Sequence, residues 1–251
     1  MTLEEQLDMA ENYRLDGHYD EAKTQYEALL LDEYKDDITY THALRGLAEV
    51  HRMLENYDES ESFYEKAIER YNEMNHSKGL GYAYLGLGQL HRHQSNTVEA
   101  KSSIQTAIEY FNKANDQYGN ADAHIELGHL YLSEFKYDVA KSEFKSADQT
   151  YQALNDKWGV ASAKLGLGKA TLKEQQYDDS EKELLSSLDL FNAIDDKLGQ
   201  ANANKELGRL YQALNQISNA RNYYNNALTL YALMQETTEV KKVKTNLNAL
   251  T

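Results

Sequence analysis

Histidine is the residue type in this sequence with the clearest capacity for chemistry, because the chain has eight histidines and no cysteine. Imidazole rings bind zinc and transfer protons near neutral pH. His51, His124 and His129 belong to neighbouring segments, and His91 and His93 lie two residues apart. On a helix, side chains with that separation diverge by about 200° and cannot share one ion. A zinc site between helices is one interpretation. We favour packing positions, and we expect no metal site.

Motifs for catalysis are not found. The sequence has no G-x-S-x-G nucleophile motif, no P-loop and no dinucleotide-binding glycine pattern. The absence of cysteine excludes disulfides, thiolate zinc sites and a cysteine nucleophile. Carboxylate pairs are uninformative here, because 41 acidic residues produce many of them by chance. We therefore predict a protein that is not an enzyme and has neither catalytic residues nor a cofactor.

The charge and hydropathy pattern restricts the partners. The net charge of −15 argues against a general binder of nucleic acid or anionic membranes, since phosphates attract basic surfaces. No apolar run approaches the roughly 18 residues of a membrane span. The first residues, MTLEEQLDMAENYR, lack the basic and apolar regions of a signal peptide. These features favour a cytoplasmic protein that binds neither nucleic acid nor membranes.

A repeat of forty residues organises the whole chain. When the sequence is shifted by forty, Leu47-Ala48 aligns with four Leu-Gly pairs that begin at Leu87, Leu127, Leu167 and Leu207. Three further columns repeat in the same register. They are Ala43, Ala83, Ala123, Ala163 and Ala203; Gly79, Gly119, Gly159 and Gly199; and Tyr71, Phe111, Tyr151, Phe191 and Tyr231. The first unit fits the same pattern when its alignment with the other units is moved by two residues. Such periodicity indicates stacked copies of one small structural unit.

Each unit is predicted to contain two helices joined by short turns. The complete absence of proline favours a nearly all-helical chain. Ala43, Leu47, Val50 and Leu54 follow helical spacing, and aromatic residues recur every seven residues in the second helix, where we expect buried rings with hydroxyls in water. Asp116, Asp156 and Asp196 are predicted to cap the next first helix. The glycine three residues after each aspartate then provides space for close packing against the preceding helix.

These motifs resemble the tetratricopeptide repeat (TPR) family. The fourth unit matches the family pattern through Leu127, Gly128, Tyr131, Ala140, Phe144 and Ala147. The sixth unit matches through Leu207, Gly208, Tyr211, Ala220, Tyr224 and Ala227. The longer unit, the missing motif tryptophan and the missing terminal proline resemble the subgroup found in cell-polarity adaptors, kinesin light chains and bacterial peptide-sensing regulators.

The resemblance implies an all-α, right-handed superhelical solenoid built as a single domain over residues 1–251. Six helix-turn-helix repeats are expected at about residues 3–40, 41–80, 81–120, 121–160, 161–200 and 201–240. Residues 241–251 retain Val243, Leu247 and Leu250 but add three lysines. We interpret this tail as a solvated capping helix, because the end of a repeat array needs a polar outer face.

Basic residues concentrate on the first helices, which the resemblance places on the concave surface. In units two to six these helices hold 8 basic and 6 acidic residues, whereas the second helices sum to −9. A basic and partly apolar groove is one interpretation, and a mixed solvated face is the other. We predict peptide binding in the groove by thirteen residues: Arg45, Glu49, Arg52, Leu85, Gln89, Arg92, Ile125, His129, Leu165, Lys169, Lys173, Lys205 and Arg209. Seven of the thirteen are Lys or Arg, and we assume that the fold itself has no need for them.

The sequence therefore predicts a non-catalytic scaffold that binds an acidic and apolar peptide segment of a partner protein. Two alternatives stay open. One is a peptide-sensing regulatory module that changes conformation when its ligand binds. The other is an assembly protein that forms homo-oligomers, because exposed stacking faces allow repeat arrays to associate end to end. Tyr82 and Tyr84 fall outside the regular aromatic columns and are additional candidates for ligand contact.

Overall fold

Paired α-helices make up the chain. The computed structural model describes residues 1–35 and 37–250, and in these ranges it contains thirteen α-helices, one 3-10 helix at Asp32–Tyr34 and no strand. The first helices of the pairs are α1 (Leu3–Leu15), α3 (Ile38–Met53), α5 (Ser77–His93), α7 (Gln117–Ser133), α9 (Lys157–Lys173) and α11 (Lys197–Ala213). The second helices are α2 (Tyr19–Ala28), α4 (Tyr57–Glu73), α6 (Thr97–Ala114), α8 (Tyr137–Leu154), α10 (Tyr177–Ala193) and α12 (Ile217–Leu233), and α13 (Thr237–Asn248) follows.

The helices fall into two compact units, Met1–Ala123 and His124–Thr251, with the boundary inside α7. We call them unit 1 and unit 2 and describe each by itself. Within each unit, second helices pack against their own first helix and against the first helix that follows, as α4 does against α3 and α5 and as α10 does against α9 and α11. This arrangement is the predicted solenoid of helix pairs.

Aspartates begin the first helices in the predicted way. Asp156 accepts hydrogen bonds from the backbone N–H groups of Trp158 at 2.9 Å and Gly159 at 3.2 Å. Asp196 accepts from Gly199 at 2.9 Å, and Asp116 does the same for α7. Each carboxylate satisfies orphan donors of a first turn, which stabilises a helix by about 1 kcal/mol. At α5 the cap is a histidine, His76, and the sequence had not suggested this.

Helices end at a residue with left-handed backbone geometry every twenty residues. These residues are Glu55, Asn75, Ser95, Asn115, Phe135, Asn155, Gln175, Asp195, Asn215 and Gln235, with φ between 53° and 64°. The next N–H then bonds to a carbonyl five residues back, as from His76 to Tyr71 at 2.9 Å, and closes the helix. The forty-residue repeat therefore contains two halves of equal length.

Glycines allow aromatic side chains to pack against helix backbones. A Cβ atom at Gly159 would lie 2.2 Å from the ring of Tyr151, in the last turn of the preceding helix. Within a pair, a Cβ atom at Gly128 would lie 2.6 Å from the Phe144 ring. The predicted close approach to the preceding helix is thus confirmed, and the Leu-Gly column that contains Gly128 makes a second close approach within the helix pair. Phe144 is fully buried, which contributes about 1.5–3 kcal/mol to folding.

Three details differ from the sequence-based predictions. The aromatic rings of the second helices are buried as expected, but their hydroxyls are not in water: Tyr231 donates to Asn202 at 2.6 Å, and Tyr224 donates to Gln212 at 2.8 Å. Leu54 lies just beyond α3 and is 38% exposed. The helix predicted at residues 241–251 begins at Thr237 and ends at Asn248. Asp36 and Thr251, which belong to the predicted first repeat and cap, lie outside the described residues.

Candidate protein-binding face

In unit 1, charged side chains from α1 and α3 form an ion-pair network. Arg45 donates to Glu49 at 2.8 Å, and Arg14 donates to the other oxygen of the same carboxylate at 3.1 Å. Arg14 also binds Glu11 at 2.6 Å, and Arg45 lies 3.6 Å from Glu11. These four side chains are only 17–24% exposed. The predicted ligand contacts Arg45 and Glu49 are therefore bound to partners within the chain.

The network keeps Glu49 ionised. Burial by itself would raise the pKa of Glu49, because a carboxylate loses hydration in the interior. Arg14, Arg45 and Arg52 outweigh that effect and hold the pKa of Glu49 below its usual value. The geometry is that of a structural salt-bridge cluster.

The other predicted residues of unit 1 are buried or take part in interactions within the chain. Leu85 is 5% exposed, so its prediction as a ligand contact is wrong. Arg52, Gln89 and Arg92 are half-buried and take part in interactions within the chain. Unit 1 contains 11 Lys or Arg and 24 Asp or Glu, for a net charge of −13.

Unit 2 places a basic helix, α9, beside α11. Helix α9 carries Lys157, Lys164, Lys169 and Lys173 and no acidic residue. Lys164 pairs with Glu183 at 2.9 Å, Lys169 is half-buried and engaged within the chain, and Lys173 is exposed. The whole of unit 2 contains 15 Lys or Arg and 17 Asp or Glu, for a net charge of −2.

Apolar side chains lie on the same face of α9 as Lys169, three or four residues away from it. Leu165 and Leu172 of α9 are half-buried and pack against the core at their inner side. One repeat earlier, Ile125 is half-buried against the cluster around Phe144, and His129 packs edge-on against the same ring with centroids 5.1 Å apart.

The basic residues of α11 have acidic partners. Lys205 is 13% exposed and donates to Glu239 of α13 at 2.7 Å, with its ammonium group 5.5 Å from the centre of the Tyr231 ring. Arg209 is 43% exposed and donates to Glu206, itself buried, at 2.7 Å. We name the surface formed by Leu165, Lys169, Leu172, Lys173 and Arg209 the α9–α11 face.

The assumption that the fold has no need for the basic residues is wrong for Arg45, Lys205 and Arg209. Arg45, Lys205 and Arg209 each form an ion pair within the chain. The sequence analysis did not identify the residues that pair with these basic side chains, although two features of the sequence indicated them. With the alignment moved by two residues, Glu11 and Arg14 of the first unit correspond to Glu49 and Arg52, two of the residues predicted to line the groove. Glu239 stands at the repeat position that holds glycine at Gly79, Gly119, Gly159 and Gly199.

The histidines and the two unusual tyrosines have structural partners. His51 stacks on Phe63 with centroids 5.4 Å apart, His91 lies 3.6 Å from Glu61, and both are buried as predicted. Tyr82 packs edge-on against Phe111, and Tyr84 stacks on Tyr110. Across residues 1–35 and 37–250, no cluster of three His, Asp or Glu side chains is arranged to hold a metal ion.

Comparison with known families settles the classification. The family model for the tetratricopeptide repeat matches residues 39–113 and 159–232, which together exceed half of the chain. The chain belongs to the tetratricopeptide repeat family. No curated protein sequence matches it. None of the helices in the described TPR chain has the length and apolar character needed to cross a bilayer.

Solved TPR structures share the fold at low sequence identity. BtubC from P. vanneervenii is 18% identical with a TM-score of 0.69, and the match covers 94% of this chain and 93% of BtubC. NprR in complex with its cognate peptide NprX is 14% identical, with a TM-score of 0.74 and coverage of 97% and 71%. A Rap protein complexed with Competence and Sporulation Factor is 16% identical, with a TM-score of 0.72 and coverage of 96% and 72%.

Proposed function

We propose that this TPR protein is a non-catalytic interaction scaffold and that its α9–α11 face binds an acidic, partly apolar segment of a partner protein. The observation that carries the proposal is the composition of α9, which has four lysines and no acidic residue in a chain of net charge −15. Lys173 and Arg209 are exposed beside half-buried leucines. Such a surface suits a segment that presents carboxylates next to apolar side chains.

Unit 1 is the weaker candidate for an acidic ligand. Its net charge of −13 repels carboxylates, and Arg45 already binds two glutamates. An incoming carboxylate would have to displace Glu49 or Glu11 before it reached the guanidinium group. At the α9–α11 face, a ligand carboxylate can reach the exposed Lys173 without first displacing a glutamate. The fold relationship to peptide complexes of NprR and Rap agrees with binding of an extended or helical segment.

The test uses peptides selected on the protein itself. A displayed random peptide library is panned on the parent chain at low salt, and the dissociation constants of the enriched peptides are measured by fluorescence anisotropy. We expect the enriched peptides to contain acidic and apolar residues and to bind less tightly as salt rises, because the lysines are solvent-accessible.

A charge-reversal pair separates the face from the rest of the surface. Lys169→Glu with Lys173→Glu should weaken binding by about tenfold or more, equivalent to about 1.4 kcal/mol. Lys145→Glu with Lys182→Glu gives the same change in net charge on the second helices of unit 2, where both lysines are exposed, and should bind within about twofold of the parent. Equal affinity of the two variants, or enrichment of basic peptides, would exclude the proposed face. Altered amide exchange in unit 1 upon peptide binding would favour the peptide-sensing alternative.

A further inference from the structure

A histidine takes the place of an aspartate at the start of α5. His76 Nδ1 accepts a hydrogen bond from the backbone N–H of Gly79 at 3.0 Å. The corresponding N–H groups of α7, α9 and α11 bind Asp116, Asp156 and Asp196. An imidazole nitrogen accepts a hydrogen bond only while it has no proton. The cap of α5 therefore depends on an unprotonated His76 Nδ1.

A second histidine lies directly beside the first. The ring centroids of His42, on α3, and His76 are 5.9 Å apart, and the Tyr71 ring of α4 stacks on His76 at 5.4 Å. His42 Nδ1 contacts the Tyr71 hydroxyl at 2.5 Å. Two imidazolium rings at this separation would repel each other, because like charges about 6 Å apart interact unfavourably.

The surrounding charges favour the neutral form of His42. Burial, Arg45 and His76 lower the pKa of His42 to about 4, although Glu11 and Asp37 act in the opposite direction. The unfolded chain therefore binds this proton more readily than the folded chain. The stability that the neutral ring contributes is complete above pH 6.5 and is lost as the pH falls toward 4. Lys78, two residues after His76, pairs with Asp116, and Arg70, next to Tyr71, pairs with Glu73.

We propose that His76 and His42 form a proton-sensitive joint between the α3–α4 pair and α5, and that acidification removes the cap of α5 and loosens its first turn. A solvent proton adds to Nδ1 of His76, the ring becomes an imidazolium ion with N–H groups at both nitrogens, and the Gly79 N–H loses its acceptor. The first turn is tightly packed, because a Cβ atom at Gly79 would lie 2.5 Å from both His76 and Tyr71. Displacement of the His76 ring thus disturbs the contact between α4 and α5.

Amide hydrogen exchange on the full chain tests the joint. Protection of the first turn of α5 is measured at pH 7.5 and pH 5.5, corrected for the intrinsic exchange rate, and divided by the protection of the first turn of α9. Helix α9 is the internal reference because its cap is the carboxylate of Asp156, which accepts the hydrogen bonds through oxygen and not through an imidazole nitrogen. We expect the protection of the first turn of α5, relative to that of α9, to fall as the pH is lowered. The fall is at most about tenfold for each pH unit, because one proton is linked to the opening of the cap.

Two variants keep a cap but remove the titration. His76→Asp installs the residue that caps α7, α9 and α11, and His76→Asn supplies a neutral cap. In both variants the ratio should stay constant between pH 7.5 and pH 5.5, while the overall helix content equals that of the parent. A constant ratio in the parent chain overturns the proposal. So does a fall of the same size in the parent and in both variants.

Discussion

Replacing Gly128 by leucine should destabilise unit 2, because the Phe144 ring packs directly against the backbone at this position. A Cβ atom at Gly128 would lie 2.6–2.8 Å from three atoms of this ring. A Cβ atom at Gly166 would lie only 2.4–2.6 Å from the same three ring atoms, so the backbone of α9 also packs closely against this ring. The ring therefore contacts glycines on two successive first helices.

The size of the effect follows from two opposing contributions. Forcing a large side chain into a packed core costs about 3 kcal/mol. Removing a glycine from a helix interior returns about 1 kcal/mol. The expected net loss is about 2 kcal/mol. For a chain of this length, the loss corresponds to a decrease in Tm of about 4–8 °C.

Tryptophan fluorescence provides the assay, because Trp158 is the only tryptophan and lies in unit 2. Its indole N–H donates to Asp196 at 2.9 Å, so unfolding changes its surroundings. Lys173→Leu, at an exposed site on α9, is the control and should change stability by at most about 0.5 kcal/mol. Adding Phe144→Ala to Gly128→Leu should show a favourable coupling energy. Equal unfolding midpoints for Gly128→Leu and Lys173→Leu would refute the packing argument.

Two further changes test the backbone and the ion pairs. Phe135→Asn should stabilise unit 2 by up to about 1 kcal/mol, because asparagine tolerates the φ of 61° better than a bulky ring that is 77% exposed; a lower urea midpoint would contradict this expectation. The pKa of Glu49 is held low by its arginines, so its stabilising effect should be present above pH 4.5 and disappear as the pH falls through the folded-state pKa. The difference in free energy of unfolding between the parent and Glu49→Gln should therefore shrink from pH 5 to pH 3, and a constant difference would contradict the network.

The fold could be predicted because each structural requirement recurs in several repeats. Gly159 and Gly199 have the same requirement, because an aromatic ring packs against the backbone at each position. In the sequence, this shared requirement appears as a glycine that recurs every forty residues. Asp156 and Asp196 cap helices in the same way. A feature that occurs in only one repeat produces no recurring residue in the alignment of the repeats. His76 therefore gave no signal as a cap, although its position aligns with those aspartates.

The candidate site could be predicted only in part, because a column identifies a helix face but not what reaches it from a neighbouring helix. Lys205 and Glu239 are 34 residues apart, and their ion pair depends on how α13 packs. The pair of Arg45 with Glu11 depends in the same way on α1. Leu85 shares a column with Leu165, yet Leu85 is buried and Leu165 is half-buried. Accessibility thus differs between repeats that look equivalent in sequence.

The two units differ markedly in net charge, although both are built from the same kind of repeat. Nearly all of the net charge lies in unit 1, at −13, and unit 2 carries only −2. In physiological salt, the field of an exposed charge decays over about 8 Å. An acidic segment at α9 therefore responds mainly to the charges within that distance of it, among them the lysines of α9. Because Lys205 and Arg209 already have partners and Lys169 is engaged within the chain, attraction at this face should come chiefly from the exposed Lys173. Lys173, rather than all seven basic residues, is the side chain on which the proposed binding chiefly depends.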